Sequence, residues 1–205
     1  MKLHFDPNQE YQKNAINAVV KLFEGQPLNK GEFEISVHGT SLSFSEFGFG
    51  NNLFLTDSEL LKNLQQVQTE NDLPPSEKLE TVAYMDTNGD SGTKVVESSF
   101  PNFTVEMETG TGKTYVYLRS IYEMNKLYGF TKFVIVVPSI AIREGVLKSL
   151  QITEDHLQSL YNRPQINYYV YDSKRLPQLK NFATSNAIPG FDNQYRFVYQ
   201  RHKHN

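Results

Sequence analysis

One stretch, Phe103-Thr104-Val105-Glu106-Met107-Glu108-Thr109-Gly110-Thr111-Gly112-Lys113-Thr114, constrains the fold more than any other part of this sequence. Phe103 to Met107 has strand character, and Lys113 to about Leu127 has helical character, so a glycine-bearing loop is set between a strand and a helix. Gly110 and Gly112 can take backbone angles closed to other residues, which lets successive amides point inward at an anion. A helix starting near Lys113 aims its positive dipole end at the same place. Lys113 adds a mobile cation able to reach β- and γ-phosphates, and Thr114 adds a hydroxyl for Mg²⁺. A tight turn without ligand would also explain two glycines. It would not explain why Lys-Thr comes immediately after them. Met107 stands where the full pattern has its first glycine.

The residues after the loop extend the pattern. Gly129 ends the helix, Lys132 to Val137 is a buried strand closed by Pro138, Ile140 to Leu150 is helical, and Ile166 to Tyr171 is a strand. Strand, helix, strand, helix, strand with short connections predicts an α/β fold with a parallel sheet flanked by helices.

Before the loop the chain reads differently. A helix is predicted from Gln9 to Glu24, then β-like pieces at Phe33–Val37 and Leu42–Ser45. A second helix is expected from Asp57 to about Thr69, capped by Thr56 or Asp57, and Met85 to Ser99 reads as polar and turn-rich. The expected units are 1–26 (N-terminal helix), 27–100 (an inserted or satellite α+β segment), 101–188 (the α/β unit) and 189–205 (a divergent tail).

Composition removes several classes. The 205 residues hold 39% hydrophobic and 21% charged residues with 26 Phe and Tyr, a globular balance. No apolar run is long enough for a membrane span, no secretory signal is visible, and zero Cys fits a reducing, cytoplasmic setting. A net charge of -3 argues against a broad basic nucleic-acid surface, though not a local one.

Two blocks carry a resemblance. Phe103 to Arg119, and Val134-Ile-Val-Val-Pro-Ser-Ile-Ala-Ile-Arg-Glu-Gly145, are similar to the restriction (Res) subunit of Type III restriction-modification enzymes, helicase-like DNA translocases of superfamily two. The likeness runs from Tyr11-Gln12, through Gly50-Asn51-Asn52-Leu53, to about Leu176. It implies a RecA-like P-loop sheet, present here incompletely, with ATP and Mg²⁺ as cofactors. It implies double-stranded DNA and a modification (Mod) subunit as partners. By resemblance Gln12 reads adenine, as an amide can pair bidentately with the adenine edge. Thr109, Gly110, Thr111, Gly112, Lys113 and Thr114 form the first ATPase motif, with Thr114 on the metal. Ser139 and Arg143, after Pro138, fall in a block that contacts the nucleic-acid backbone. A solvated Gln12 and an exposed helical Arg143 are the plain alternatives.

The acidic motif that such translocases use to hold the metal is not found. Glu154-Asp155 lies in a helix-like stretch, and Asp172 is followed by Ser173-Lys174 rather than a second carboxylate. The stretch beyond Thr114 is too short for a second RecA-like domain and a nuclease. No catalytic residue is therefore assigned, and a non-catalytic nucleotide- or partner-binding module stands as the alternative. Beyond Ile188 an apolar strand with the acidic motif is expected, but Phe191 to Asn205 is polar-aromatic, which reads as a frameshifted tail. His202 and His204 read as solvated, Asp86–Asp90 as a turn and Lys174-Arg175 as surface. An unfinished sheet would leave an open edge for self-association.

Overall fold

A computed structural model describes residues 5–28, 51–86, 96–170, 182 and 194–201. The predicted β-like pieces at 33–45, Asp172, Lys174-Arg175, His202 and His204 lie outside them.

Among the described residues, four helices carry the packing. Helix α1 spans Glu10–Lys21, α2 Asp57–Glu70, α3 Lys113–Tyr128 and α4 Ile140–Leu160. The local signals act as expected. Thr56 and Glu59 form a reciprocal capping box on α2, and Gly129, at φ +70°, closes α3 in the left-handed region. Helix α4 runs ten residues past the expected Leu150, because Leu150, Thr153 and Leu157 keep burying one face.

α3 is the centre of the molecule, buried on two sides. Tyr115, Leu118 and Tyr122 pack with Val137, Val146, Leu150 and Leu157 from β3 and α4. Val116 and Tyr128 pack with Ile16 and Val20 of α1 and with Phe130. Leu118 is fully buried. Removing its side chain to Ala would cost about 2–5 kcal/mol, the range for a core leucine.

The strands form two sheets. β1 (Thr81–Asp86) and β2 (Val96–Pro101) pair antiparallel, Thr81 opposite Pro101. These arms fall partly in the stretch expected to be turn-rich, and the connection between them is not among the described residues. β3 (Lys132–Val137), β4 (Gln165–Val170) and β5 (Gln194–Arg201) form a parallel sheet in the order β3-β5-β4. The parallel sheet is thus as predicted, but its middle strand comes from the stretch expected to be a divergent tail.

One predicted strand is corrected. Phe103 to Met107 is irregular chain, because no described strand runs beside it to complete a ladder. Strand propensity expresses itself only against a neighbour. Asn102 N donates to Glu80 O, and Met107 is held by packing against the α1–α3 cluster. Among the described residues, no helix is long and apolar enough to cross a membrane.

Candidate phosphate-loop site

The loop from Glu108 to Gly112 delivers the chain into the first turn of α3. Gly110 sits at φ +83° and Gly112 at φ +85°, the left-handed region that side-chain-bearing residues avoid. A Cβ built on Gly110 would meet no described residue within 4 Å, so the space beside that glycine is open. Thr111 folds its hydroxyl back onto Glu108 O at 2.7 Å, which stiffens the turn.

The end of α3 fits an anion. Its N-cap, Gly112, supplies no side-chain acceptor, and its first turn holds no acidic residue. The first-turn amides therefore have no capping side chain, and the helix dipole is not offset locally. Lys113 is exposed and makes no ion pair with a described residue. Thr114 is partly buried. One turn on, the Tyr117 hydroxyl is buried without a well-formed hydrogen bond to any described residue. Burial pushes its phenol above the usual value, and Thr114 offsets part of that.

Gln12, ninety-nine positions away in sequence, is brought onto the loop. Its Nε2 donates to Thr111 O at 2.9 Å. The approach is close enough that a Cβ on Gly112 would lie 2.6 Å from that nitrogen. Glycine at 112 thus serves both the backbone angle and the seat of Gln12. The amide keeps its second N–H and its carbonyl oxygen, one donor and one acceptor.

Ser139 and Arg143 are placed elsewhere, at the start of α4. Ser139 is the N-cap, accepting from Ile142 N at 3.3 Å, and Arg143 donates to Glu144 Oε1 at 3.2 and 2.9 Å. No hydrogen bond among the described residues joins either to the loop. Strand β5, in the stretch where an acidic motif is expected, reads Gln-Tyr-Arg-Phe-Val-Tyr-Gln-Arg and holds no carboxylate.

A sequence-family model described as "Type III restriction enzyme, res subunit" matches residues 7–178, most of the chain. The chain belongs to that family. Membership of the Res family implies a P-loop helicase-like fold, with which the helices and small parallel sheet agree. It is 29% identical over 173 residues to the Type III restriction-modification enzyme EcoPI Res subunit of Escherichia phage P1, covering 83% of this chain and 15% of that one. The EcoP15I Res subunit of Escherichia coli is 26% identical over 172 residues, with the same coverage. The StyLTI Res subunit of Salmonella typhimurium is 50% identical over 62 residues, 30% of this chain and 6% of that one. This Res-family chain therefore spans about 15% of the length of the first two relatives.

Two polar residues hold the site's framework in roles the sequence does not assign, although Asn51 falls within the Gly50-Asn51-Asn52-Leu53 block of the resemblance. Asn51 Oδ1 accepts from Thr131 N and Lys132 N at 2.9 and 3.0 Å, and its Nδ2 donates to Lys132 O at 2.6 Å, clamping the start of β3. Gln26, buried, bonds Asn52 O and Phe54 N at 2.9 Å each. A cavity of about 920 Å³ lies between α1, α2 and the 102–108 segment, lined in part by Tyr11, Ala18, Val67, Met107 and Thr111. No sequence signal announces it, because its walls come from segments as far apart in the chain as Tyr11 and Thr111.

Proposed function

We propose that this chain is the nucleotide-binding part of a Type III Res subunit, with a RecA-like P-loop unit taking ATP and Mg²⁺. One observation carries the reading: two left-handed glycines at the uncapped, acid-free start of α3, with Gln12 hydrogen-bonded to the loop between them. The loop from Thr109 to Gly112 and the first amides of α3 cradle the β- and γ-phosphates. Lys113 would neutralise part of their charge, and the Thr114 hydroxyl would be a ligand for Mg²⁺, which when bound would supply electrostatic stabilisation of the phosphate oxygens. Gln12 reads the base. Its remaining N–H and its carbonyl oxygen match adenine N7 and the N6 amino group.

For the whole protein we propose ATP-driven movement on double-stranded DNA with a modification subunit, Ser139 and Arg143 touching the DNA backbone. The chain alone binds nucleotide without efficient turnover. The absence of a carboxylate from β5 favours that second reading, a non-catalytic nucleotide- or partner-binding module. Calorimetry with ATP·Mg²⁺ on the wild type and on Lys113→Ala tests the site. Binding that vanishes in the variant is the expected result, and equal binding by both refutes the loop as the phosphate site. Hydrolysis stimulated by DNA would refute the non-catalytic reading.

A further inference from the structure

Gln12 can discriminate a base only if its amide is held in one place, and the bond to Thr111 fixes it from one side alone. The body of α1 is held by Ile16 and Val20 against α3, and its start is held by the segment that leads into it. Asp6 Oδ1 accepts from Asn8 N at 2.8 Å and Asp6 Oδ2 from Gln9 Nε2 at 3.1 Å, so the chain before α1 is folded onto itself. The N-cap of α1, Gln9, makes no side-chain cap bond. Arg119, on α3, ties this turn to the body of the molecule.

Arg119 Nη1 donates to Pro7 O at 2.6 Å, and its Nε donates to Tyr161 Oη at 3.2 Å. Tyr161 Oη in turn donates to Glu123 Oε1 at 2.6 Å, which leaves the tyrosine oxygen's lone pair for the guanidinium. The guanidinium is thus oriented from behind by α3 and the end of α4, and it spends one arm on a proline carbonyl. Phe5 backs the same segment, stacked at 3° on the Tyr115 ring with centroids 6.1 Å apart, and 5.2 Å from the His156 ring. Arg119 sits on the helix whose first turn adjoins the phosphate loop. One rigid element therefore reaches both the loop and, at Pro7, the turn that leads into α1, five residues before Gln12.

We infer that Arg119 is a positioning residue for base recognition: by holding Pro7 it fixes the first turn of α1 so that Gln12 meets the base beside the phosphate loop. The inference rests on the proposed nucleotide site. It does not concern the phosphates, whose proposed ligands lie in the 109–112 loop and the first turn of α3. Loss of Arg119 should accordingly weaken binding of the matching base and leave the triphosphate contribution intact.

The test compares ATP and GTP affinity, both as Mg²⁺ complexes, for the wild type, Arg119→Met, Gln12→Ala and the double variant. Methionine keeps the packing of the stem and removes the donors. ATP binding is expected to weaken about tenfold in Arg119→Met with GTP binding unchanged, the scale of a bidentate amide–base pair. Gln12→Ala should lose a similar factor, and the double variant should lose no more than either single. Equal weakening for both nucleotides, or additive losses in the double variant, would overturn the inference and leave the phosphate site standing. Arg119→Lys, which keeps a cation and a donor, provides a second reading should the methionine variant fold poorly. It should retain part of the ATP preference, and full loss with wild-type GTP affinity would count against a tether through Pro7. A wild type that binds neither nucleotide refutes the site, and this inference with it.

Discussion

Gly110 and Gly112 share nearly the same backbone angle yet differ in their surroundings, and that difference gives a quantitative test. Alanine at either position must hold a left-handed conformation, at a cost of about 1–2 kcal/mol. At Gly110 nothing lies within 4 Å of the added methyl, so that is the whole cost. At Gly112 the methyl would lie 2.6 Å from Gln12 Nε2 and 3.8 Å from its Cδ. Since the end of a glutamine can swing aside, the extra cost is its hydrogen bond to Thr111 O, about 1 kcal/mol. Gly112→Ala should then destabilise by about 2–3 kcal/mol against about 1–2 for Gly110→Ala. For a chain of this size the gap between them corresponds to about 2–4 °C in Tm. Urea unfolding supplies the free energies. In a Gln12→Ala background the collision is gone, and Gly112→Ala should cost no more than Gly110→Ala. Equal costs for the two glycines in the wild type, or a cycle additive within about 0.3 kcal/mol, would refute the claim that Gly112 makes room for Gln12.

Other side chains give tests of the same kind. Burial, and after it the Arg119 charge, hold the His156 pKa below its ordinary 6.5. The fold thus takes up that proton less readily than the unfolded chain, and the contribution is intact above pH 6.5 and lost as pH falls through the folded value. His156→Gln should flatten the acid side of the wild-type stability curve, and an unchanged slope between pH 7 and 5 would contradict this. Asn51→Ala strips two amides and a carbonyl at the start of β3 of their partner, and thermal melts should show a loss of about 1–2 kcal/mol. Val134 and Val136, each 53% exposed on β3, leave that strand apolar toward solvent. Light scattering at rising concentration should show self-association, reduced in Val134→Lys with little change in Tm, and a wild type that stays monomeric refutes the open-sheet expectation.

Signals that act over a few residues are legible in the sequence. The Thr56 cap, the Gly129 stop, the Lys132–Val137 strand and the Lys113 helix start each depend on near neighbours, and the structure places them at those positions. The expected burial of that strand fails, since only Val137 is buried and Val134 and Val136 face outward. Strands that depend on a distant partner are not. Phe103–Met107 has strand-like residues and no described neighbour, whereas Gln194–Arg201 looks polar and lies between two strands. The site divides along the same line. The loop and Gln12 are recognisable as types, but the 2.9 Å contact joining them is not, nor is Arg119, whose role depends on a backbone carbonyl 112 positions away.

The order β3-β5-β4 has a consequence for how the molecule is made. β5 comes after β4 in the chain yet provides the ladder partner of both β3 and β4, with Phe197 level with Phe133 on one side and Tyr168 on the other. On the ribosome, β3 and β4 emerge first and must wait, each with an unsatisfied edge, until the strand between them appears. Closing such long loops before any pairing is gained slows folding and prolongs the exposure of those edges. The helical layer around Leu118 needs no such wait, because α1, α3 and α4 have all emerged by Leu160. Synthesis should therefore yield a helical nucleus early and a sheet late, and the interval between them is when this chain is most open to pairing with a copy of itself.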